Sequence, residues 1–249
     1  MRLVVIPGWN EAAKYLRTFA YGRRGIDGFD AFGVDCTIFP DGRDGLRERI
    51  DRFAAFLDGL RDREPDAFPI ATLGYSAGGL INRGFLRAYP ERAGEIAATI
   101  QVAAPNTGLI TNYAAGTLRF AGFPVRPLRD MDVASPFMRW LNDVDGHWET
   151  DPDNPRKKRW HLNDKPWVAP VGHRILQIAG LMPKYGLQSD GVVMIESANL
   201  DGAMPTAYVE SNEANHLNLG AVENLVATIF RRFAHDDRIW PRVVELSAK

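Results

Sequence analysis

One cysteine, Cys36, is all that the 249 residues hold, so the chain can close no disulfide within itself and gains nothing from an oxidising compartment. Net charge is nearly missing as well. Thirty lysines and arginines stand against thirty-one aspartates and glutamates, a balance of −1, which leaves no electrostatic footprint for nucleic acid or for a strongly anionic membrane. The opening MRLVVIPGWN runs four apolar residues into a Pro-Gly turn, too short a run for a signal peptide or a membrane span. The expectation is a soluble, cytoplasmic protein with no nucleic-acid partner and no stable membrane insertion. Histidine is scarce at five, and none has metal-ligand spacing. Asp151 with Asp153 reads as a solvated turn rather than a calcium loop. No phosphate-binding or dinucleotide loop is present, so neither metal nor cofactor is expected.

What the chain does have is alternation. Short β-branched runs at 2–8, 35–40, 68–76 and 96–105 read as buried strands. Between them, 44–64 places Leu46, Ile50, Phe53, Leu57 and Leu60 at three- and four-residue steps, an apolar helical face with charges opposite. A second helix follows at 78–90. Residues 106–172 break the rhythm: they show no convincing strand, four of the six tryptophans, and a polar, proline-bearing patch. The alternation returns at 173–180 and 206–211 and closes with a helix at about 217–233. We expect one α/β domain, 1–105 with 173–249, with a mostly parallel sheet flanked by helices. Residues 106–172 are then an inserted cap or lid. Its Phe120, Phe123, Phe137 and Trp140 would cover an acyl pocket or form the insert's own core, and lipid-surface contact through this insert is open.

Chemistry in such a sheet gathers at the carboxyl ends of the strands. There GYSAGG puts Ser76 between Gly74 and Gly78. A serine hydroxyl needs exposure and a base before it can attack a carbonyl. A strand–Ser–helix turn supplies the exposure, provided glycines two before and two after avoid a clash. Ser76 is the candidate nucleophile. The base should come late in the chain, with an acid between the two. His147 and His161 lie in the polar patch and read as solvent-exposed. His173 precedes any plausible acid loop, and His235 reads as a helix cap. His216, between the last strand and the last helix, is the candidate base. For the acid, Asp190 in SDGVV stands first and Asp201 in NLDGA is its rival, with Glu196 behind them. Developing negative charge on a substrate oxygen needs fixed N–H donors. The Ala77 amide is one candidate. The Trp9 amide in PGWN is the other, with the Asn10 side chain as a helper.

These segments resemble the α/β-hydrolase superfamily, and within it the bacterial lipase and esterase branch. GYSAGG is similar to its nucleophile elbow, VAAPNTG (102–108) to a strand end that commonly reads T-P-H-x-G in lipases, and LRDMDVASPFMRWLN (128–142) to a segment that opens the cap. SDGVV resembles the acid loop and NHLNL (215–219) the histidine loop. The resemblance spans residues 2 to about 233 except 143–170. Two positions depart from it: Pro7 and Asn106 stand where histidine is common. The resemblance implies Ser76, Asp190 and His216 as a triad, backbone donors at Trp9 and Ala77, and hydrolysis of a small-molecule acyl ester. The same machinery serves thioesterases, lactonases, amidases and acyltransferases, and a non-catalytic binding protein on this scaffold is the alternative of another class.

Overall fold

The computed structural model describes residues 2–8, 35–40, 44–109, 125–151, 154–182 and 189–210. Six strands form one sheet: β1 (Arg2–Ile6), β2 (Asp35–Ile38), β3 (Ile70–Tyr75), β4 (Ile96–Val102), β7 (Ile175–Leu181) and β8 (Thr206–Glu210). All neighbours run parallel, in the order β2-β1-β3-β4-β7-β8. The strand runs read from the sequence lie where expected. Every residue of β3 is buried, which explains why it reads as a continuous apolar run rather than an alternation. From β1 the chain moves outward to β2 and then returns to the other side of β1 as β3. The direction of winding therefore reverses between β1 and β3, the place where open α/β sheets leave a crevice.

Helix α1 (Leu46–Arg63) buries Leu46, Ile50, Phe53, Leu57 and Leu60, the face expected from their spacing. Its first turn is held by Glu48 Oε2 accepting from Gly45 N at 2.9 Å and by Asp130 Oδ2 accepting from Leu46 N at 2.7 Å. Both carboxylates complement the positive end of the helix. Helix α2 (Ala77–Ala88) is buried from Ala77 through Leu86. A helix buried all round can sit only between the sheet and other layers. It packs on α1 through Phe85 and Phe53, whose rings meet edge to face at 5.3–5.4 Å in a cluster with Phe39.

The long connection between β4 and β7 holds α3 (Val125–Asp130), α4 (Pro136–Asn142) and an antiparallel hairpin of β5 (Gly146–Asp151) and β6 (Asn154–Leu162). The hairpin corrects the expectation that 106–172 contains no strand. It lacks an apolar run. Cross-strand pairs hold it instead: Trp148 faces Trp160 with ring centroids 5.3 Å apart, and Glu149 lies opposite Arg159. A two-stranded ribbon is edge on both sides, which is where Pro155 is tolerated. Helix α4 begins as expected for Ser-Pro, with Ser135 Oγ accepting from Met138 N at 3.0 Å. The closing helix expected at 217–233 lies outside the described residues.

Candidate active site

Ser76 sits between β3 and α2 with φ 49° and ψ −122°, a backbone geometry that a residue with a side chain adopts only under constraint. The constraint is visible on each side. Ser76 N donates to Val102 O at 2.8 Å, and its carbonyl accepts from Gly79 N at 3.0 Å. The glycines are required by contact. A Cβ on Gly74 would lie 2.5 Å from Gly78 O, and one on Gly78 would lie 2.1 Å from Ile6 O and 2.8 Å from Pro7 O. A Cβ on Gly79 would lie 2.4 Å from Ala104 Cβ. The elbow therefore brings the ends of β1, β3 and β4 against the first turn of α2. Ala77, fully buried, opens that turn. Its N–H belongs to the group that has no partner within the helix and points along the positive end of the helix dipole.

Behind the elbow runs a chain of buried side-chain amides. Gln101 Nε2 donates to Gly79 O at 2.6 Å, and Asn106 Nδ2 donates to Gln101 Oε1 at 2.9 Å and to Ala198 O at 2.8 Å. Ala198 ends α5 (Ile195–Ala198), the single turn after the Asp190 loop. Ser197 Oγ donates to Gly108 O at 2.6 Å, and Thr107 N donates to Ser197 O at 3.1 Å. Asn106, in the place where the resemblance favours histidine, thus ties the loop after β4 to the segment that carries the candidate acid.

Asp190 and its rival occupy different settings. Asp190 is buried, and its Oδ1 accepts from Val192 N at 2.9 Å and Val193 N at 2.7 Å. The turn is closed by Ser189 Oγ accepting from Gly191 N, with Gly191 at φ 90°. Asp201 stands at the foot of the hairpin, where Oδ2 accepts from Leu162 N at 3.4 Å. Burial raises its carboxyl above the ordinary range. Glu196 lies in α5. His216, Trp9 and Asn10 lie outside the described residues, as do Phe120 and Phe123. His147 and His161 are exposed on the hairpin, either side of Glu149. Phe137 joins the main core, and Trp140 lies under Arg47, whose guanidinium carbon is 3.7 Å from the ring centroid.

Two arginines escaped the sequence reading because charge reads as surface. Arg49 and Arg83 are both fully buried. Their positions carried the signal: Arg49 is three residues after Leu46 and four before Phe53, on the apolar face of α1. Arg83 donates to Asn106 Oδ1 at 3.3 Å, Asn106 O at 3.2 Å and Asn142 Oδ1 at 3.0 Å, and also to Val168 O and Trp167 O. Burial and the neighbouring Arg87 lower its pKa to about 9. Among the described residues no cluster of three histidine, cysteine or carboxylate side chains could hold a metal, and no helix is long and apolar enough to cross a membrane.

No family model matches the chain, and no curated protein matches it. Solved structures do. The mature lipase of Bacillus licheniformis is similar over 94% of this chain and 91% of its own, with a TM-score of 0.67 and 15% identity. A metagenomic carboxyl esterase is similar over 100% of this chain and 74% of its own, with a TM-score of 0.57 and 19% identity. A candidate non-heme bromoperoxidase from Mycobacterium tuberculosis is similar over 93% and 91%, with a TM-score of 0.55 and 16% identity. At such identities a likeness of structure speaks for the fold, and the fold these share with this chain is that of the α/β-hydrolases.

Proposed function

We propose that the chain is a serine hydrolase that cleaves carboxylic esters through Ser76, His216 and Asp190. The observation that carries the proposal is the backbone of Ser76, held at φ 49° and ψ −122° by glycine contacts on both sides. Nothing in packing alone requires a serine there. Strain that the surroundings maintain marks a site where a side chain must be presented. The structural likenesses include a lipase and a carboxyl esterase, which supports the ester as substrate.

In this mechanism Ser76 Oγ bonds to the ester carbonyl carbon while its proton passes to His216. The carbonyl electron pair moves to oxygen, and the oxyanion is met by the N–H groups of Ala77 and Trp9. Collapse expels the alcohol oxygen, which takes the proton from His216, and Ser76 is left acylated. Water then gives a proton to His216 as it attacks the acyl carbon, and Ser76 leaves with that proton restored. Asp190 keeps its charge throughout and holds the imidazole. Two backbone amides, those of Val192 and Val193, fix its Oδ1 in the loop after β7. Asp201 stands instead at the foot of the hairpin, where its Oδ2 accepts from Leu162 N.

A fluorophosphonate probe, followed by mass spectrometry of the labelled peptide, should place the adduct on Ser76. Against p-nitrophenyl esters from acetate to laurate, Ser76→Ala should lower kcat by about 10⁴-fold or more. A label on another residue, or ester turnover retained in Ser76→Ala, overturns the proposal. Acyl thioesters and lactones in the same assay separate the ester reading from its relatives: faster turnover of either reassigns the leaving group.

A further inference from the structure

We infer that Gln101 is a positioning residue for the oxyanion site, acting on the Ala77 N–H through Gly79, an inference that rests on the functional reading above. Gln101 is fully buried near the end of β4, on a strand whose Ile100 and Val102 are buried too. An amide at such a position is costly unless something uses it. Its Nε2 donates to Gly79 O at 2.6 Å. That carbonyl lies in the first turn of α2, where an α-helix provides a donor four residues on, so it needs no second one to be satisfied. Room for the contact comes from the missing side chain at 79. A Cβ there would lie 3.3 Å from Gln101 Cδ and 2.4 Å from Ala104 Cβ.

The connection to Ala77 follows from covalent geometry. Gly79 N donates to Ser76 O at 3.0 Å, and a planar trans peptide points that C=O and the Ala77 N–H in opposite directions. Holding Gly79 therefore sets the direction of the Ala77 donor. The peptide on the other side of Ser76 is held from the same strand, with Ser76 N donating to Val102 O at 2.8 Å. Strand β4 thus fixes both peptide planes that flank the candidate nucleophile. The direction of the amide chain is determined as well. Gly79 O can only accept, so Gln101 must turn Nε2 toward it and Oε1 toward Asn106 Nδ2, at 2.9 Å. Asn106 Oδ1 then faces Arg83 Nη1 at 3.3 Å, a group that can only donate. With a carbonyl at one end and a guanidinium at the other, neither amide can flip without setting like groups against each other.

The test uses the full chain with Gln101→Met, which keeps the volume and has no donor, and Gln101→Glu, which keeps the shape and, once ionised, can only accept. Removing an oxyanion donor outright costs about 10²–10³ in kcat. Loosening one should lower kcat by roughly 5–50-fold in Gln101→Met, and by at least as much in ionised Gln101→Glu, with KM within about threefold. An alkyl boronic acid, which becomes tetrahedral and anionic on Ser76, should lose affinity in step with kcat, while the corresponding alcohol should bind as before. Titration to completion with a fluorophosphonate counts the folded sites. A role in packing alone would lower that count and leave turnover per site and boronate affinity unchanged, and this outcome overturns the inference. If neither variant folds, the Gln101 side-chain ¹⁵N–¹H signals of the unsubstituted protein decide it. They should move together with the Ala77 amide signal when the boronate binds; Gln101 signals that stay in place overturn the inference. An unsubstituted protein that takes no label on Ser76 instead removes the functional reading itself.

Discussion

The elbow at Ser76 and the β5–β6 hairpin are held by opposite means. Every peptide of the elbow is fixed from outside: Val102 O under Ser76, Gln101 on Gly79, Ile6 O and Pro7 O against Gly78. The hairpin is fixed by itself, through its own ladder and the Trp148–Trp160 pair. Leu162 joins it to the rest of the described structure, with its N–H on Asp201 and its side chain against Ile175, Leu200 and Met204. A strained backbone persists only where neighbours over-determine it. A self-paired ribbon needs no such support, and it can open without taking the sheet with it. The elbow is where a single methyl group should matter, and the hairpin is where a whole indole should not.

Gly78→Ala presses hardest on this difference. Its new Cβ would lie 2.1 Å from a main-chain oxygen of β1, an atom that cannot rotate away. We expect a loss of about 3 kcal/mol or more, seen as a melting temperature lower by roughly 10 °C, together with loss of ester turnover. Gly94→Ala is the control, with nothing within 4 Å of the added carbon. It should be neutral or slightly stabilising. If the two glycine variants melt alike, the elbow is not over-determined.

Arg83→Met asks how far the outside support extends. The guanidinium joins α2 to Asn142, Trp167 and Val168 of the long connection and to Asn106 behind the elbow. Its removal leaves several buried acceptors without their donor, at about 1–3 kcal/mol each where water cannot enter. We expect a net loss of about 2–3 kcal/mol in chemical denaturation. Faster amide exchange should appear at 163–168 and α4. Loss of stability confined to α2 would show that the connection is held by something else.

What the sequence made legible follows the same division. Close approach of backbones demands glycine, so Gly74 and Gly78 announced the elbow, and buried strands announced themselves as apolar runs. The hairpin was silent because its pairs are cross-strand: Trp148 and Trp160 stand twelve residues apart, among charges that read as a solvated loop. Arg49 and Arg83 were silent for a related reason. Helical position placed them on buried faces, but burial of a charge depends on carbonyls contributed by distant segments. Asp190 and Asp201 are both followed by glycine and look equivalent as text. Only the packing around each distinguishes a carboxylate clasped by two amides from one at the foot of a ribbon. His216 and Trp9 lie beyond the described residues, so their part in the site rests on the functional proposal.

Acid should act in opposite directions on the sheet and the ribbon. His173, beside β7 and bonded through Nε2 to Thr99 Oγ1 at 3.0 Å, is lowered to about 4 by burial. Its unfolded value is near 6.5, so between those values the unfolded chain binds the proton and the folded one does not. Stability is whole above pH 6.5 and falls on acidification, by about 2 kcal/mol from pH 6.5 to 5. His173→Gln should flatten that slope in denaturation curves; an unchanged slope assigns it elsewhere. On the hairpin, His147 is raised by its bond to Glu149 and, after that, by Asn163. Its stabilising charge is present below pH 6.5 and lost as pH rises through the raised value, which hydrogen exchange of β5 and β6 would register.

The smallest effect is expected from Trp148→Ser, and it bears most directly on the contrast. Trp148 is 42% exposed, and its chief neighbour is Trp160. An aromatic pair of this kind contributes about 0.5–1.5 kcal/mol, and here that energy is confined to the ribbon. Because opening is local, the substitution should speed amide exchange in β5 and β6 while leaving β3 and β4 unchanged. The melting temperature should shift by no more than about 2 °C. A fall matching that of Gly78→Ala would mean that the hairpin belongs to the cooperative unit of the sheet, held through contacts that its own pairing does not supply.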